Sequence, residues 1–167
     1  MMIKSRIFLI KKLNLMAKIN YNVDTVEWKK KFPLFKKYIS RSVNKTLNIV
    51  NKDDFINSSV SFLLTSNRNI QKINYKYRKR NNPTNVLSFP MRIFFEGTNL
   101  LGDIVLSSET LLIESLELKI TKYDYLCKMT IHGMLHLLEY DHKTEKQFKE
   151  MKKLEDQIFY KIKQDKW

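Results

Sequence analysis

His132-Gly133-Met134-Leu135-His136-Leu137-Leu138-Glu139-Tyr140-Asp141-His142 holds all three histidines of this 167-residue chain. Two properties of the stretch decide what surrounds it. His132 and His136 are four apart, so on a helix they stand one turn above each other on the same face. His142 lies past the helix end and can fold back to close a site of three nitrogens. Three imidazoles leave the fourth position of a tetrahedral zinc open, as in catalytic rather than structural sites. Hydrogen-bonded histidines on a core helix are the bland alternative, and the tight clustering favours the metal. The helix itself, from Tyr123 to Glu139, is apolar nearly all round apart from Lys128 and the two histidines. That pattern belongs to a buried helix, and a ligand-bearing helix locked in a core gives catalysis its rigidity.

Upstream, Lys18 to Val23 alternates weakly and reads as a short first strand. Pro33 suits the start of a helix, in which Phe35, Ile39, Val43 and Leu47 recur every fourth residue, with Lys36, Lys37, Arg41 and Lys45 mostly outward. Ser58 to Thr65 reads as a strand through Val60, Phe62 and Leu64. Asn67 is placed to cap a helix running to about Tyr77. Asn81-Asn82-Pro83 breaks the chain, Val86 to Phe89 is extended, and Leu101 to Leu106 is a strand after a loop at Glu96-Gly97. Ser107 or Ser108 caps a helix through Leu116. Phe148, Met151, Leu154, Ile158 and Ile162 mark the last helix, opened by a Thr144…Gln147 capping box. The expected fold is α+β: a single domain with a mixed sheet of about four strands, packed with helices, and a metal site on a buried central helix.

A chain of this length buries roughly 70% of its unfolded surface without disulfide staples. The single cysteine, Cys127, precedes His132 by five positions and sits about 140° round the helix from it, so it reads as core filler. No apolar run is long enough to span a membrane. Residues 1–16 are expected to be a basic arm outside the fold, leaving residues 17–167 as one domain; an organelle-targeting role or a start at Met16 are alternatives. The net charge of +14 is one-sided. Residues 1–95 carry 20 Lys/Arg against 4 Asp/Glu, whereas residues 96–167 carry 11 against 13. Base-composition bias would act on both halves, so the asymmetry points to a polyanion such as nucleic acid. The scarcity of glycine argues against a flexible RNA-binding tail.

The histidine spacing is shared with metzincin peptidases, but their general base, the glutamate after the first histidine, is here Gly133. Losing it costs such a mechanism roughly 100- to 10,000-fold, which leaves peptidase as a minor alternative. The full motif His132-Gly133-x-Leu135-His136-Leu137-x-x-Tyr140-Asp141-His142 closely resembles the signature of the YbeY family. Asn74-x-x-Tyr77-Arg78, Pro83-Thr84-Asn85-Val86-Leu87-Ser88-Phe89-Pro90 and Leu101-Gly102-Asp103-Ile104-Val105-Leu106-Ser107 resemble further family segments, in the family's order, over about residues 18–160. The resemblance implies a cytoplasmic, single-strand-specific, metal-dependent endoribonuclease that matures the 3′ end of 16S rRNA and serves ribosome quality control. It implies one zinc per chain on the three histidines, a functional arginine at Arg78, and as partners ribosomal RNA and the small ribosomal subunit, with ribosomal proteins or assembly factors besides. One departure is clear. The family usually has glycine where this chain has Glu139, and a left-handed glutamate costs roughly 1–2 kcal/mol. Either the turn avoids that conformation, or the strain is tolerated, or Glu139 enters the site as an extra acid or base.

A zinc ion on three neutral imidazoles would make hydroxide available at neutral pH or polarise a phosphate oxygen. Arg78 offers a fixed fork of donors for the charge of a phosphoryl-transfer transition state. Lys72, Lys76, Lys79, Arg80 and Arg92 are expected to position the RNA backbone without reading sequence. Asp141 either orients an imidazole N–H or caps a helix. A second class stays open: a ribosome-assembly factor whose zinc is mainly structural.

Overall fold

Alternating exposed and half-buried residues make Lys18–Val23 (β1) an edge strand, whereas the nearly continuous burial of Ser58–Thr65 (β2) makes it a central one. The computed structural model describes residues 16–50 and 57–165, so the expected arm lies, apart from Met16, outside the described residues. Val86–Phe95 (β3) and Thr98–Ser107 (β4) complete a four-stranded sheet in the order β1-β2-β4-β3. β1, β2 and β4 run parallel, and β3 is antiparallel to β4. Glu96 and Gly97 join that hairpin with φ of 47° and 76°, both left-handed, as a two-residue turn matched to strand twist requires.

Six helices surround the sheet among the described residues: α1 (Val26–Lys31), α2 (Phe35–Val50), α3 (Asn67–Arg78), α4 (Ser108–Glu117), α5 (Lys122–Leu137) and α6 (Glu145–Gln164). The expected mixed α+β architecture is therefore present. Helix α1 was not legible, being too short for a periodic signal. It is held by Trp28, which is fully buried and donates its indole N–H to the carbonyl of Thr65 at 2.8 Å. The cap of α3 is Ser66, not Asn67: Ser66 Oγ accepts from the N–H of Asn69, while Asn67 Oδ1 accepts from Ser107 and Thr110 across to α4. Both halves of the Thr144–Gln147 capping box are formed.

α5 is the centre of the packing. Leu126, Met134 and Leu137 join the sheet residues Val60, Phe62, Leu64, Ile104 and Leu106 and the α2 residues Ile39, Val43 and Leu47 in one core. A second side, Cys127, Ile131 and Leu135, packs on Met151, Ile158 and Ile162 of α6. A third, smaller cluster of Ile70, Leu87 and Val105 seats α3 on the other face of the sheet.

The β3–β4 register slips between Pro90 and Ile93. Opposite this bulge stands Gly102, with φ of 137°; a Cβ there would lie 2.2 Å from the carbonyl oxygen of Phe89 and 3.0 Å from the nitrogen of Met91. Both obstacles are backbone, so they cannot turn aside. Gly102→Ala should therefore lower stability by about 2–3 kcal/mol, the scale of core overpacking, read as a lower urea midpoint at unchanged m. A wild-type midpoint would contradict the close approach.

Candidate metal centre

Thr121 caps α5 by accepting from the N–H of Asp124 at 3.0 Å, and the helix then carries His132 and His136 on one face. The chain reverses after Leu137, and His142 returns to them. One ring nitrogen from each histidine lies within 4.8 Å of the others, and Nε2 of His132 and Nε2 of His136 are 3.1 Å apart. A tetrahedral ion with bonds of about 2.0–2.1 Å to nitrogen holds its ligands roughly 3.4 Å apart, so the set fits one ion of that size. Burial, and then the neighbouring His132 and His142, push His136 down to about 4. It is consequently neutral at pH 7 and offers a lone pair.

Glu155 of α6 completes the arrangement. Its Oε1 lies 2.7 Å from Nδ1 of His132, and since a carboxylate only accepts, the proton is assigned to Nδ1 and the Nε2 lone pair faces the cluster. Sequence reading missed this residue. Its signal was there: Met151, Glu155, Ile158 and Ile162 follow one helical stripe, and a carboxylate standing among three buried apolar residues needs a partner. Asp141 does a different job. Its Oδ1 accepts from the backbone N–H of His142 at 2.8 Å, and Lys143 pairs with it and holds its carboxyl below the usual range. Asp141 thus fixes the main chain at His142 rather than an imidazole N–H.

Where a peptidase carries its glutamate base, Gly133 packs tightly against the sheet. A Cβ at this position would meet Ser88 Oγ and Ile104 Cδ1 at 3.1 Å, so α5 lies directly on β3 and β4 there. Cys127 is in the α5–α6 core, where burial pushes its thiol up to about 11, so it is no thiolate ligand.

Arg78, the last residue of α3, reaches the same place from the other side of β3. With Ser88, Pro90, His136, Glu139, Tyr140, Asp141, His142 and Lys143 it lines a cleft of about 510 Å³. Two features fix the end of the helix that carries it. The buried Asn74 donates to the carbonyl of Asn82 at 2.9 Å, tying the following loop to the helix, and Lys79 ends α3 in a left-handed conformation with φ of 58°. Lys72, Lys76, Lys79 and Arg80 are exposed along and beyond the same helix. Arg92 stands apart from them: its Nε donates to the carbonyl of Leu137 at 3.4 Å and its Nη1 pairs with Glu139.

The family model for Endoribonuclease YbeY matches residues 22–163. The chain belongs to the YbeY family. A relative named Endoribonuclease YbeY from Bartonella bacilliformis is 37% identical over 88% of this chain and 94% of its own length. One of the same name from Ehrlichia ruminantium is 42% identical over 74% of this chain and 78% of its own. A solution structure from Thermotoga maritima is similar in fold, with a TM-score of 0.51 at 22% identity, covering 89% of this chain and 92% of that one.

Within this YbeY-family chain the departure at Glu139 is resolved: its φ is 70°, so the glutamate does adopt the left-handed conformation. The histidine arrangement yields a graded prediction. His136→Ala should abolish stoichiometric metal binding, and Glu155→Gln should weaken it about 10- to 100-fold, as for other carboxylates behind a metal-bound histidine. Both are measured by chelator competition. Wild-type metal affinity in Glu155→Gln would show that the carboxylate does not set the His132 tautomer.

Proposed function

We propose that this chain is a metal-dependent endoribonuclease that cuts single-stranded RNA, acting in the cytoplasm on the 3′ end of 16S rRNA in the small ribosomal subunit and in ribosome quality control. The observation that carries the reading is that Arg78 and two of the three histidines line one cleft. The family supports ribonuclease chemistry, and the relatives at 37% and 42% identity bear the name of an endoribonuclease.

Zinc, the metal that three imidazoles suit best, would supply a Lewis acid and activated water at neutral pH. The remaining work falls to side chains of this protein. Arg78 presents a planar fork to phosphoryl oxygens as they gain charge. Asp141 and Glu155 hold His142 and His132 in place by the backbone and the ring respectively. Lys72, Lys76, Lys79 and Arg80, exposed on α3 and just beyond it, attract the phosphate backbone at any sequence. Three protein ligands, the number found among the described residues, is the count of a catalytic zinc site and favours the enzyme over an assembly factor with structural zinc. No helix among the described residues is long and apolar enough to cross a membrane.

Two measurements test this reading. Arg78→Lys keeps the charge and loses the fork, so it should hold zinc and bind RNA nearly as well while cutting about 10²–10³ more slowly; normal 3′-end processing by the zinc-loaded variant would remove Arg78 from catalysis. If lysines and arginines neutralise four phosphates of a single strand, log K should fall against log salt with a slope of about −2.8. Lys72→Gln, Lys76→Gln and Lys79→Gln together should flatten that slope with zinc content unchanged. A flat wild-type slope would rule the electrostatic picture out.

A further inference from the structure

We propose that Arg92 is a positioning residue for the third metal ligand. Through the carbonyl of Leu137 and the carboxylate of Glu139 it holds the turn after α5 in the left-handed form that carries His142 to the other two histidines. The inference rests on the reading of the three histidines as metal ligands. α5 closes with the N–H of Tyr140 on the carbonyl of Leu135 at 3.0 Å and the N–H of Glu139 on the carbonyl of His136 at 3.1 Å. That pair of bonds is a Schellman motif, which needs a left-handed residue at the position of Glu139. A glutamate stands there with φ of 70°. The motif leaves the carbonyl of Leu137 outside it, and Arg92 Nε donates to that oxygen.

The same guanidinium pairs with the carboxylate of Glu139, and Arg92 is itself left-handed, with φ of 51°, in the bulge of β3. Two backbone sites that cost free energy thus face each other and are joined by one planar fork, which serves both acceptors at once. Glycine would adopt the conformation of residue 139 unaided. Here the arginine and the glutamate supply with side chains what glycine would supply with backbone freedom. His142 lies three residues beyond Glu139, so the direction of this turn decides whether its ring meets the other two. The pair is partly exposed, 34% for Arg92 and 63% for Glu139, which sets a modest scale for its effect.

The test is zinc affinity of the full chain, measured by competition with a chelating indicator. Arg92→Met should weaken zinc about three- to tenfold, below the 10- to 100-fold of a buried outer partner because solvent screens the pair. Glu139→Gly should stay within about twofold of wild type, because glycine needs no clamp. The Arg92→Met/Glu139→Gly protein should recover most of what Arg92→Met loses. Glu139→Ala, left-handed without a carboxylate, should lose as much as Arg92→Met. In a His142→Ala background Arg92→Met should cause no further loss, since the ligand it positions is gone. Losses that simply add in the double variant overturn the proposal, as does an Arg92→Met effect undiminished without His142. A wild-type chain that binds no zinc overturns the metal reading and this inference with it; a wild type that binds while the losses add overturns this inference alone.

Discussion

Everything at the metal centre depends on α5 being gripped from both sides. On one side Gly133 allows the helix to rest against Ser88 and Ile104, and on the other Cys127, Ile131 and Leu135 are locked to α6. A histidine on such a helix cannot shift without disturbing two cores, each packed like an organic crystal. The same contacts dictate where reactive groups can come from. Ser88 and Pro90 enter the cleft because β3 lies under α5, and Glu155 reaches His132 because α6 lies over it.

Much of this was legible in the sequence, for reasons that differ from residue to residue. The histidine spacing encodes a helix face and a return, so it could be read without a fold. The four-residue recurrence of Phe35, Ile39, Val43 and Leu47 and the Thr144–Gln147 box are local signals, and local signals survive into structure. What escaped reading depends on how elements meet. The partner of Glu155 is 23 residues away on another helix. Asp141 could be placed beside the third ligand but not assigned an atom, because main chain and ring lie within reach of the same carboxylate. Arg92 looked like one more cation in a basic half, and its place in the β3 bulge beside Leu137 and Glu139 was not readable from the sequence.

Charge and chemistry are divided along the chain and rejoined in space. The basic excess lies before Phe95, while the three histidines that could hold a metal, and the carboxylates beside them, come after it. β3 is the seam. α3 delivers Arg78 on one face of the sheet, and α5 with the turn after it presents the histidines on the other. A cluster of histidines alone offers ligands to an ion but no charge to draw a polyanion, and the lysines of α3 alone offer charge without such ligands.

The bulge in β3 has a consequence for solubility. β3 is an edge strand whose outer half, Met91, Ile93, Phe94 and Phe95, is apolar and exposed, the composition that invites another molecule to add a strand and start an aggregate. Pro90 carries no N–H to offer such a strand, and the slip between Pro90 and Ile93 breaks the edge into two short runs with different registers. A foreign strand following one run would be out of step with the next. The kink that holds Arg92 beside Leu137 and Glu139 thereby also guards the open margin of the sheet.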